Sequence, residues 1–386
     1  MSNLLYAQIS GRETSPWLVL MHSLGTSHRL WDVQMPVLEQ QFHVLRLDLP
    51  GHGASPLAPA IGLDAMADAV LETLNAHGVS EAHFCGLSLG GMVAQSIALK
   101  RPERVLGLVL ANTGAKVGSS QVWEDRVQAV RSAGVASLIP ALISRWFTAP
   151  FAQAHPTRVR AMAEILEGAN PQGYIMACES LAQADLREAI HAIQAPTLVI
   201  AGDQDLTTPL SDSELLASKI PGARLIILKA AHISNIEQPG EFARLVLEHC
   251  APGQVSQAAL REAGMLVRRL VLGDAYVDAK RKDAPSDVLS FQDFVTEAAW
   301  GQVWTRSGLS RRDRSLLVLA LTLAGNREAE FVLHLRASKS NGVTRDEIRE
   351  FILQVAVYAG VPAGNHAMNL AQKIWAEEDS ATGQAV

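Results

Sequence analysis

The sequence has little cysteine, few aromatic residues, modest charge and no long hydrophobic run. Three cysteines in 386 residues cannot form a disulfide framework, which is typical of proteins from a reducing compartment. No segment approaches the roughly 18 consecutive apolar residues that a membrane span requires. The first residues lack the basic start and apolar run of a secretory signal. We therefore expect a cytoplasmic protein that does not bind membranes.

The composition excludes two further classes of protein. Charged residues make up 19% of the chain and the formal net charge is −6, so the chain lacks the basic character of a general nucleic-acid binder. Hydrophobic residues make up 48%, which suffices for packed cores and excludes a disordered chain. At roughly 150 residues per domain, the length predicts two or three domains.

The first 250 residues alternate between short apolar runs and helical patterns. This alternation predicts a parallel sheet covered by helices. The rhythm breaks between about residues 114 and 193, where helical patterns alone predict a cap over the sheet. The predicted strands are Trp17–Met21, Phe42–Leu47, His83–Cys85, Val105–Ala111, Thr197–Ala201 and Arg224–Leu228.

A polar segment at 251–256, broken by Pro252 and Gly253, predicts a linker. Helical patterns follow it at 309–323, 327–340, 344–358 and 365–377. Thr344 followed by Glu347 predicts a capping box at one helix start. The sequence thus predicts an α/β domain at 1–250 and an all-helical domain at 257–386.

The segment Gly86–Gly90 reads G-L-S-L-G between a predicted strand and a helix. This is the pattern of a nucleophile elbow, a tight turn that lifts Ser88 above the sheet edge. Asp205 and His232 each follow a later strand, and the order Ser, Asp, His is that of α/β-hydrolases. His232 would take the proton of Ser88, and Asp205 would orient the imidazole. Asp203 is the rival acid, although the usual spacing after the preceding glycine favours Asp205.

Acyl transfer also needs two backbone N–H groups to stabilise an oxyanion. We expect one from Leu89, directly after the nucleophile, and the other from Leu24, in the loop after an early strand. His22 in the same loop is then expected to be a structural residue rather than a proton carrier.

These motifs resemble the 3-oxoadipate enol-lactonase family of α/β-hydrolases over residues 1 to about 250. The triad alone indicates only a hydrolase, since esterases and haloperoxidase-like relatives share it. Dehalogenases carry a carboxylate at the position of Ser88, so Ser88 implies an acyl-enzyme. Arg145 and Trp146 become candidates either for contacting substrate or for packing the cap. The further matching stretches are Asp48–Ser55, Arg145–Thr148 and Ala230–Pro239.

Glu330 and His334 are four residues apart in a predicted helix, so they lie on one face, one turn apart. Such a pair can share a proton and act as general acid and base. Spacing alone favours an ordinary surface Glu–His pair, because such i,i+4 pairs are common on helices.

Residues 257 to 377 resemble the 4-carboxymuconolactone decarboxylase family along nearly their whole length. The AhpD-like peroxidases of the same helical superfamily need a C-x-x-C dithiol. No cysteine follows Cys250, so thiol redox chemistry is excluded in this region. Gly364 stands where we expect a small residue such as alanine. The matching stretches are Arg268–Gly273, Trp300–Arg306, Glu330–Arg336, Asn341–Thr344 and Tyr358–Ala363.

The second resemblance implies a decarboxylation without a cofactor or a metal. Loss of CO2 leaves a dienolate whose charge rests on the lactone oxygen, so no electron-sink cofactor is needed. His334, assisted by Glu330, is the expected proton donor. Arg306, Arg314 and Arg336 are candidates for holding the substrate carboxylates, because a guanidinium binds them bidentately. We expect one or two of the three to do so.

Together the resemblances imply two consecutive steps of the protocatechuate branch of the β-ketoadipate pathway. The helical domain would produce 3-oxoadipate enol-lactone, and the α/β-hydrolase domain would open it to 3-oxoadipate. The expected partners are small lactones, and the family implies homo-oligomers formed through the helical domain. The alternatives are an unrelated esterase with a non-catalytic helical oligomerisation domain, and a sensor with two inert sites.

Overall fold

The computed structural model describes residues 4–57, 60 and 62–381 of the chain. It divides into two compact units, Met1–Ala263 and Gly264–Val386. The predicted linker lies between a helix that ends at Cys250 and another that begins at Gln257. The division between the units falls inside the second of these helices. Within the described residues, no helix combines the length and the apolar character that a membrane crossing requires.

Seven strands form the sheet of the first unit. They are β1 (Ala7–Gly11), β2 (Trp17–Met21), β3 (His43–Leu47), β4 (Ala82–Leu87), β5 (Val105–Ala111), β6 (Thr197–Gly202) and β7 (Arg224–Leu228). The order across the sheet is β1-β3-β2-β4-β5-β6-β7. β1 pairs antiparallel with β3, and the other neighbours pair in parallel.

The local sequence explains why one strand was missed. β2 and β6 are apolar and buried along nearly their whole length, as parallel strands covered on both faces must be. β1 reads AQISG and lies at the sheet edge with none of its residues fully buried. The sequence analysis did not predict β1, because a short and weakly apolar edge strand leaves no clear pattern.

Helices complete the first unit. The predicted cap corresponds to the helices between β5 and β6. Ser119 caps the first of them through its side chain, and Asn170 caps the last, where Pro171 follows at the first helical position. The helices are α1 (Met35–Leu38), α2 (Leu63–Ala76), α3 (Leu89–Lys100), α4 (Ser120–Ala133), α5 (Ile139–Trp146), α6 (Ala149–Ala154), α7 (Pro156–Glu167), α8 (Pro171–Gln183), α9 (Leu210–Lys219), α10 (Ser234–Glu237) and α11 (Pro239–Cys250).

The described part of the second unit is helical throughout. Its helices are α12 (Gln257–Leu272), which begins in the first unit, α13 (Asp274–Arg281), α14 (Ser286–Val295), a π-helix (Thr296–Trp304), α15 (Arg311–Ala324), α16 (Glu328–Ser338), α17 (Arg345–Ala359) and α18 (Val361–Ala381). Thr344 and Glu347 form the predicted capping box at the start of α17. The core joins α15, α16 and α17 through buried side chains that include Leu319, Phe331 and Ile352.

Close packing explains the glycine at position 364. A Cβ atom on Gly364 would lie 2.6 Å from the Cβ atom of Ala356. This is far inside a normal contact, so even alanine would push α18 away from α17. The close approach of these two helices therefore accounts for glycine at this position.

Candidate active sites

The nucleophile elbow lies between β4 and α3. Ser88 has φ 55° and ψ −114°, a strained conformation for a residue with a side chain. A Cβ atom on Gly86 would lie 2.2 Å from the carbonyl oxygen of Gly90, and one on Gly90 would lie 2.2 Å from that of Met21. The two glycines are therefore required for the turn that presents Ser88.

Asp205 and His232 form a buried pair beside this elbow. His232 Nδ1 donates to Asp205 Oδ2 at 2.8 Å. Thr208 contributes its backbone N–H at 3.0 Å and its hydroxyl at 2.7 Å, and Asn112 Nδ2 donates at 3.0 Å. Burial alone would raise the pKa of Asp205, but His232 and the two donors of Thr208 lower it to about 2. Asp205 is thus a carboxylate that can hold the imidazole in one orientation.

Asp203, the rival acid, has a different partner. Its Oδ2 atom accepts from Lys229 Nζ at 2.7 Å, at the protein surface. The structure therefore brings Asp205 rather than Asp203 to the imidazole of His232.

Ser88 and His232 line one pocket, without a direct hydrogen bond between them among the described contacts. The pocket contains about 370 Å³ of space not filled by atoms, part of it open to solvent. Trp146 lines it from the cap, whereas Arg145 is exposed and is not among the described lining residues. The two cap candidates are therefore in different environments.

The predicted oxyanion groups are also at this pocket. Leu89 begins α3 directly after Ser88, and Leu24 lines the pocket. Within the described residues, neither backbone N–H donates to a protein acceptor, although both residues are buried. Two buried donors without acceptors can bind a developing oxyanion.

His22 holds the loop that carries Leu24. Its Nε2 atom accepts from the backbone N–H of Leu49 at 2.8 Å, and Nδ1 donates to the carbonyl oxygen of Ser23 at 2.7 Å. Burial, together with the nearby His52, lowers the pKa of His22 to about 3. A neutral imidazole fixed on both sides is a structural element of the loop.

Two polar residues that support the site were missed from the sequence. Asn112, with φ 44°, follows β5 and bonds both Asp205 and the carbonyl oxygen of Ala231. Glu237 is buried and accepts from the Ala231 backbone at 2.7 Å and from Thr148 Oγ1 at 2.7 Å, which ties the cap to the loop of the catalytic histidine. A polar residue directly after a buried strand was the available signal for Asn112.

The second unit places Glu330 and His334 one turn apart on α16, in different environments. Glu330 is exposed, whereas His334 is half-buried beside Trp300 and Trp304, with ring centroids 6.4 Å away in both cases. Burial lowers the pKa of His334, and the charge of Glu330 opposes this. His334 Nδ1 is buried without a hydrogen-bond partner among the described residues.

The three candidate arginines have different surroundings. Arg336 forms an ion pair with Glu377 on α18. Arg314 donates to the carbonyl oxygen of Arg306 at 2.9 Å, and the Arg306 side chain is exposed. No described contact joins any of them to Glu330 or His334, so their role in holding substrate stays a prediction.

A cavity in the second unit lies beside another carboxylate–imidazole pair. His366 Nε2 is 3.0 Å from Glu328 Oε2, and both residues line the cavity together with Arg327. Glu330 and His334 are not among its described lining residues. Across the described chain, no group of three or more His, Cys, Asp or Glu side chains is arranged to hold a metal ion.

Known proteins match the two parts of the chain separately. The alpha/beta hydrolase fold family matches residues 16–239, and the Carboxymuconolactone decarboxylase family matches residues 290–373. The chain belongs to both families.

Individual relatives agree with these family matches. The hydrolase part is 35% identical to 3-oxoadipate enol-lactonase 1 of Acinetobacter baylyi over 241 residues, which are 62% of this chain and 91% of that protein. The helical part is 45% identical to 4-carboxymuconolactone decarboxylase of the same organism over 112 residues, 29% of this chain and 84% of that protein. The crystal structure of the enol-lactonase from Burkholderia xenovorans LB400 aligns with a TM-score of 0.62 and 35% identity, covering 64% of this chain and 95% of that one.

These matches confirm the predicted fold class, an α/β-hydrolase with a mostly parallel sheet followed by an all-helical decarboxylase domain. They also confirm both family resemblances. The roles of individual site residues stay predictions.

Proposed function

We propose that this chain is a bifunctional enzyme of the β-ketoadipate pathway. The helical unit decarboxylates 4-carboxymuconolactone to 3-oxoadipate enol-lactone, and the hydrolase unit opens that lactone to 3-oxoadipate. One observation carries the proposal: a single chain joins relatives of two enzymes whose names describe consecutive reactions. The product of one unit is the substrate of the other.

The hydrolase site supports an acyl-enzyme mechanism. Ser88 Oγ attacks the lactone carbonyl while His232 takes its proton, and Asp205 stabilises the imidazolium. The backbone N–H groups of Leu24 and Leu89 receive the oxyanion. Collapse of the tetrahedral intermediate breaks the ring C–O bond, and His232 returns the proton to the departing enol, which becomes the ketone. Water, deprotonated by His232, then releases 3-oxoadipate from Ser88.

The helical site supports a proton transfer to carbon. When the carboxylate leaves as CO2, its bonding electron pair moves through the ring C=C bond to the carbonyl oxygen of the lactone, which gives the dienolate. His334 protonates the resulting dienolate at the carbon next to the carbonyl, and Glu330 assists in reprotonating His334. A bound substrate dianion places negative charge near His334 and so favours its protonated form, against the effect of burial.

Two further features belong to the proposal. The helical unit exposes large apolar side chains, including Tyr358 at 81%, Val357 at 78% and Leu321 at 72%, which supports self-association through this unit. Cys85, Cys178 and Cys250 are all buried and unpaired, which supports a reducing, cytoplasmic location. Light scattering of the full chain tests the first feature, since a monomer would contradict it.

The deciding experiment supplies 4-carboxymuconolactone to the full-length protein and follows CO2 and products by NMR. The unmodified protein is expected to give CO2 and 3-oxoadipate. Ser88→Ala should release CO2 at the same rate and accumulate the enol-lactone, because only the second step uses Ser88.

Two results would contradict the proposal. No CO2 from the unmodified protein would exclude the decarboxylase and favour the helical unit as an oligomerisation domain. Loss of both activities in a folded Ser88→Ala variant would exclude two separate sites.

A further inference from the structure

The wall of the hydrolase pocket carries a positive charge that catalysis does not use. Ser88 and His232 line the pocket, and most of the remaining lining is apolar or aromatic, as Trp123, Leu142 and Trp146 show. Arg126 carries the one permanent charge among the described lining residues. No lining residue among those described is an aspartate or a glutamate, so the pocket favours an anion.

Aromatic side chains hold Arg126 in place. Its guanidinium carbon lies 4.9 Å from the ring centroid of Trp123, three residues earlier on α4. Tyr174, from α8, is almost fully buried; burial raises the pKa of its phenol, and the neighbouring charge and hydrogen bond of Arg126 oppose that rise. The guanidinium is therefore fixed against the pocket wall.

Arg126 also lacks an acidic partner within the described part of the chain. Arg131, little more than one turn later on the same helix, pairs with Glu179 at 3.1 Å. No such ion pair is found for Arg126 among the described residues. A half-buried guanidinium without a carboxylate has donors left for a ligand, and a bidentate carboxylate is the group that fits them best.

The substrate under the proposed function carries such a group. The enol-lactone has a ring carbonyl that must reach Ser88 and a carboxymethyl arm attached at the other side of the ring. We propose that Arg126 is the specificity residue of the hydrolase site, which binds the carboxylate of this arm. The interaction orients the ring carbonyl toward Ser88 and selects anionic lactones over neutral ones. This inference rests on the proposed function.

The test compares two substrates on the full-length protein. One is 3-oxoadipate enol-lactone, and the other is the uncharged enol-lactone with a methyl group in place of the carboxymethyl arm. Arg126→Gln should lower kcat/KM for the acid by about 100-fold, mainly through KM, because a desolvated charge pair is lost. Activity on the uncharged lactone should change by less than about 3-fold, and Arg126→Lys should recover part of the loss, since it keeps the charge but not the bidentate geometry.

Arg145→Gln is the matched control, because it removes the same charge from the same cap but at an exposed position outside the pocket. It should leave both substrates unaffected. The inference would be overturned if Arg126→Gln lowered kcat/KM equally for both substrates. It would also be overturned if Arg145→Gln lowered kcat/KM for the acid as much as Arg126→Gln does. If the unmodified protein does not open the acid at all, the proposed function fails; if it does and Arg126→Gln opens it equally well, the inference alone fails.

Discussion

The two units present their candidate catalytic groups in different states of completion. In the hydrolase unit, Asp205 is buried, accepts from several donors and holds His232 at 2.8 Å. In the helical unit, Glu330 is exposed and His334 has a buried nitrogen without a partner among the described residues. The hydrolase site holds its acid and base together by hydrogen bonds within its own unit, whereas no described hydrogen bond fixes the imidazole of His334 through Nδ1.

The difference follows from how the elements meet. Parallel strands end at the same edge of the sheet, so the loops after β4, β5, β6 and β7 bring nucleophile, acid, base and supporting donors together. In the helical unit, Glu330 and His334 both come from α16, and Trp300 and Trp304 lie beside His334. We therefore expect a single substitution to slow the reaction more at the hydrolase site than at the helical site.

The largest expected effect tests the assembled site. Asp205→Asn should reduce enol-lactone hydrolysis by about 10,000-fold, because the amide favours the wrong tautomer of His232. CO2 release from 4-carboxymuconolactone, measured on the same preparation, should not change. Asp203→Asn is the matched control, since its carboxylate pairs with Lys229 at the surface, and it should retain hydrolysis. A reversed pattern would assign the acid to Asp203.

A smaller effect tests the incomplete site. His334→Ala should slow decarboxylation by about 100- to 1,000-fold, within the range expected for loss of a general acid, while hydrolysis of supplied enol-lactone continues. His366→Ala is the control, because His366 belongs to the other carboxylate–imidazole pair of the same unit. Decarboxylation would be measured by CO2 release.

The two histidine variants distinguish between the two carboxylate–imidazole pairs of this unit. Loss of decarboxylation in His334→Ala alone supports the pair on α16. Loss in His366→Ala alone would move the reaction to the cavity lined by Arg327 and Glu328 and would contradict the assignment of Glu330 and His334.

The sequence predicts much of this architecture because strong local patterns mark it. The elbow at Ser88, the strands before Asp205 and His232 and the capping box at Thr344 all depend on residues close together in the chain. β1, α12, α13 and α14 were not predicted; β1 is a short edge strand with few apolar residues, and α14 buries none of its residues fully.

Long-range contacts explain the rest. Arg126 reaches the pocket only because the cap folds back over the sheet, whereas Arg145, although it lies in a stretch that resembles the enol-lactonase family, is exposed. Spacing along a chain does not report which arginine of a helical cap points inward. The role of Glu237 likewise depends on contacts with Thr148, 89 residues away.

A third prediction concerns the closure of the hydrolase site. Glu237→Gln should lower the free energy of unfolding by about 2 kcal/mol, because the buried carboxylate accepts several hydrogen bonds that the amide cannot all replace. The effect is measured by urea unfolding, with hydrolase activity as the signal that reports the folded fraction. Glu248→Gln, in a surface pair with Arg244 on α11, should change it far less. Equal stability of both variants would show that Glu237 does not hold the cap.

The smallest expected effect is a dependence of stability on pH that is stronger in the hydrolase unit. His22 has a pKa near 3 when folded and near 6.5 when unfolded, so below pH 6.5 the unfolded state binds the extra proton. Folding stability is then lost as the pH falls, by about 1 kcal/mol between pH 7 and pH 5.5. The measurement is the urea concentration at which half of the hydrolase activity is lost, determined at several pH values. His22→Asn should weaken the dependence of this midpoint on pH, whatever it does to the absolute stability. His77→Asn, at an exposed position, should leave the slope intact. An unchanged slope in His22→Asn would mean that His22 already carries its proton in the folded loop, and the neutral anchor beside Leu24 would have to be abandoned.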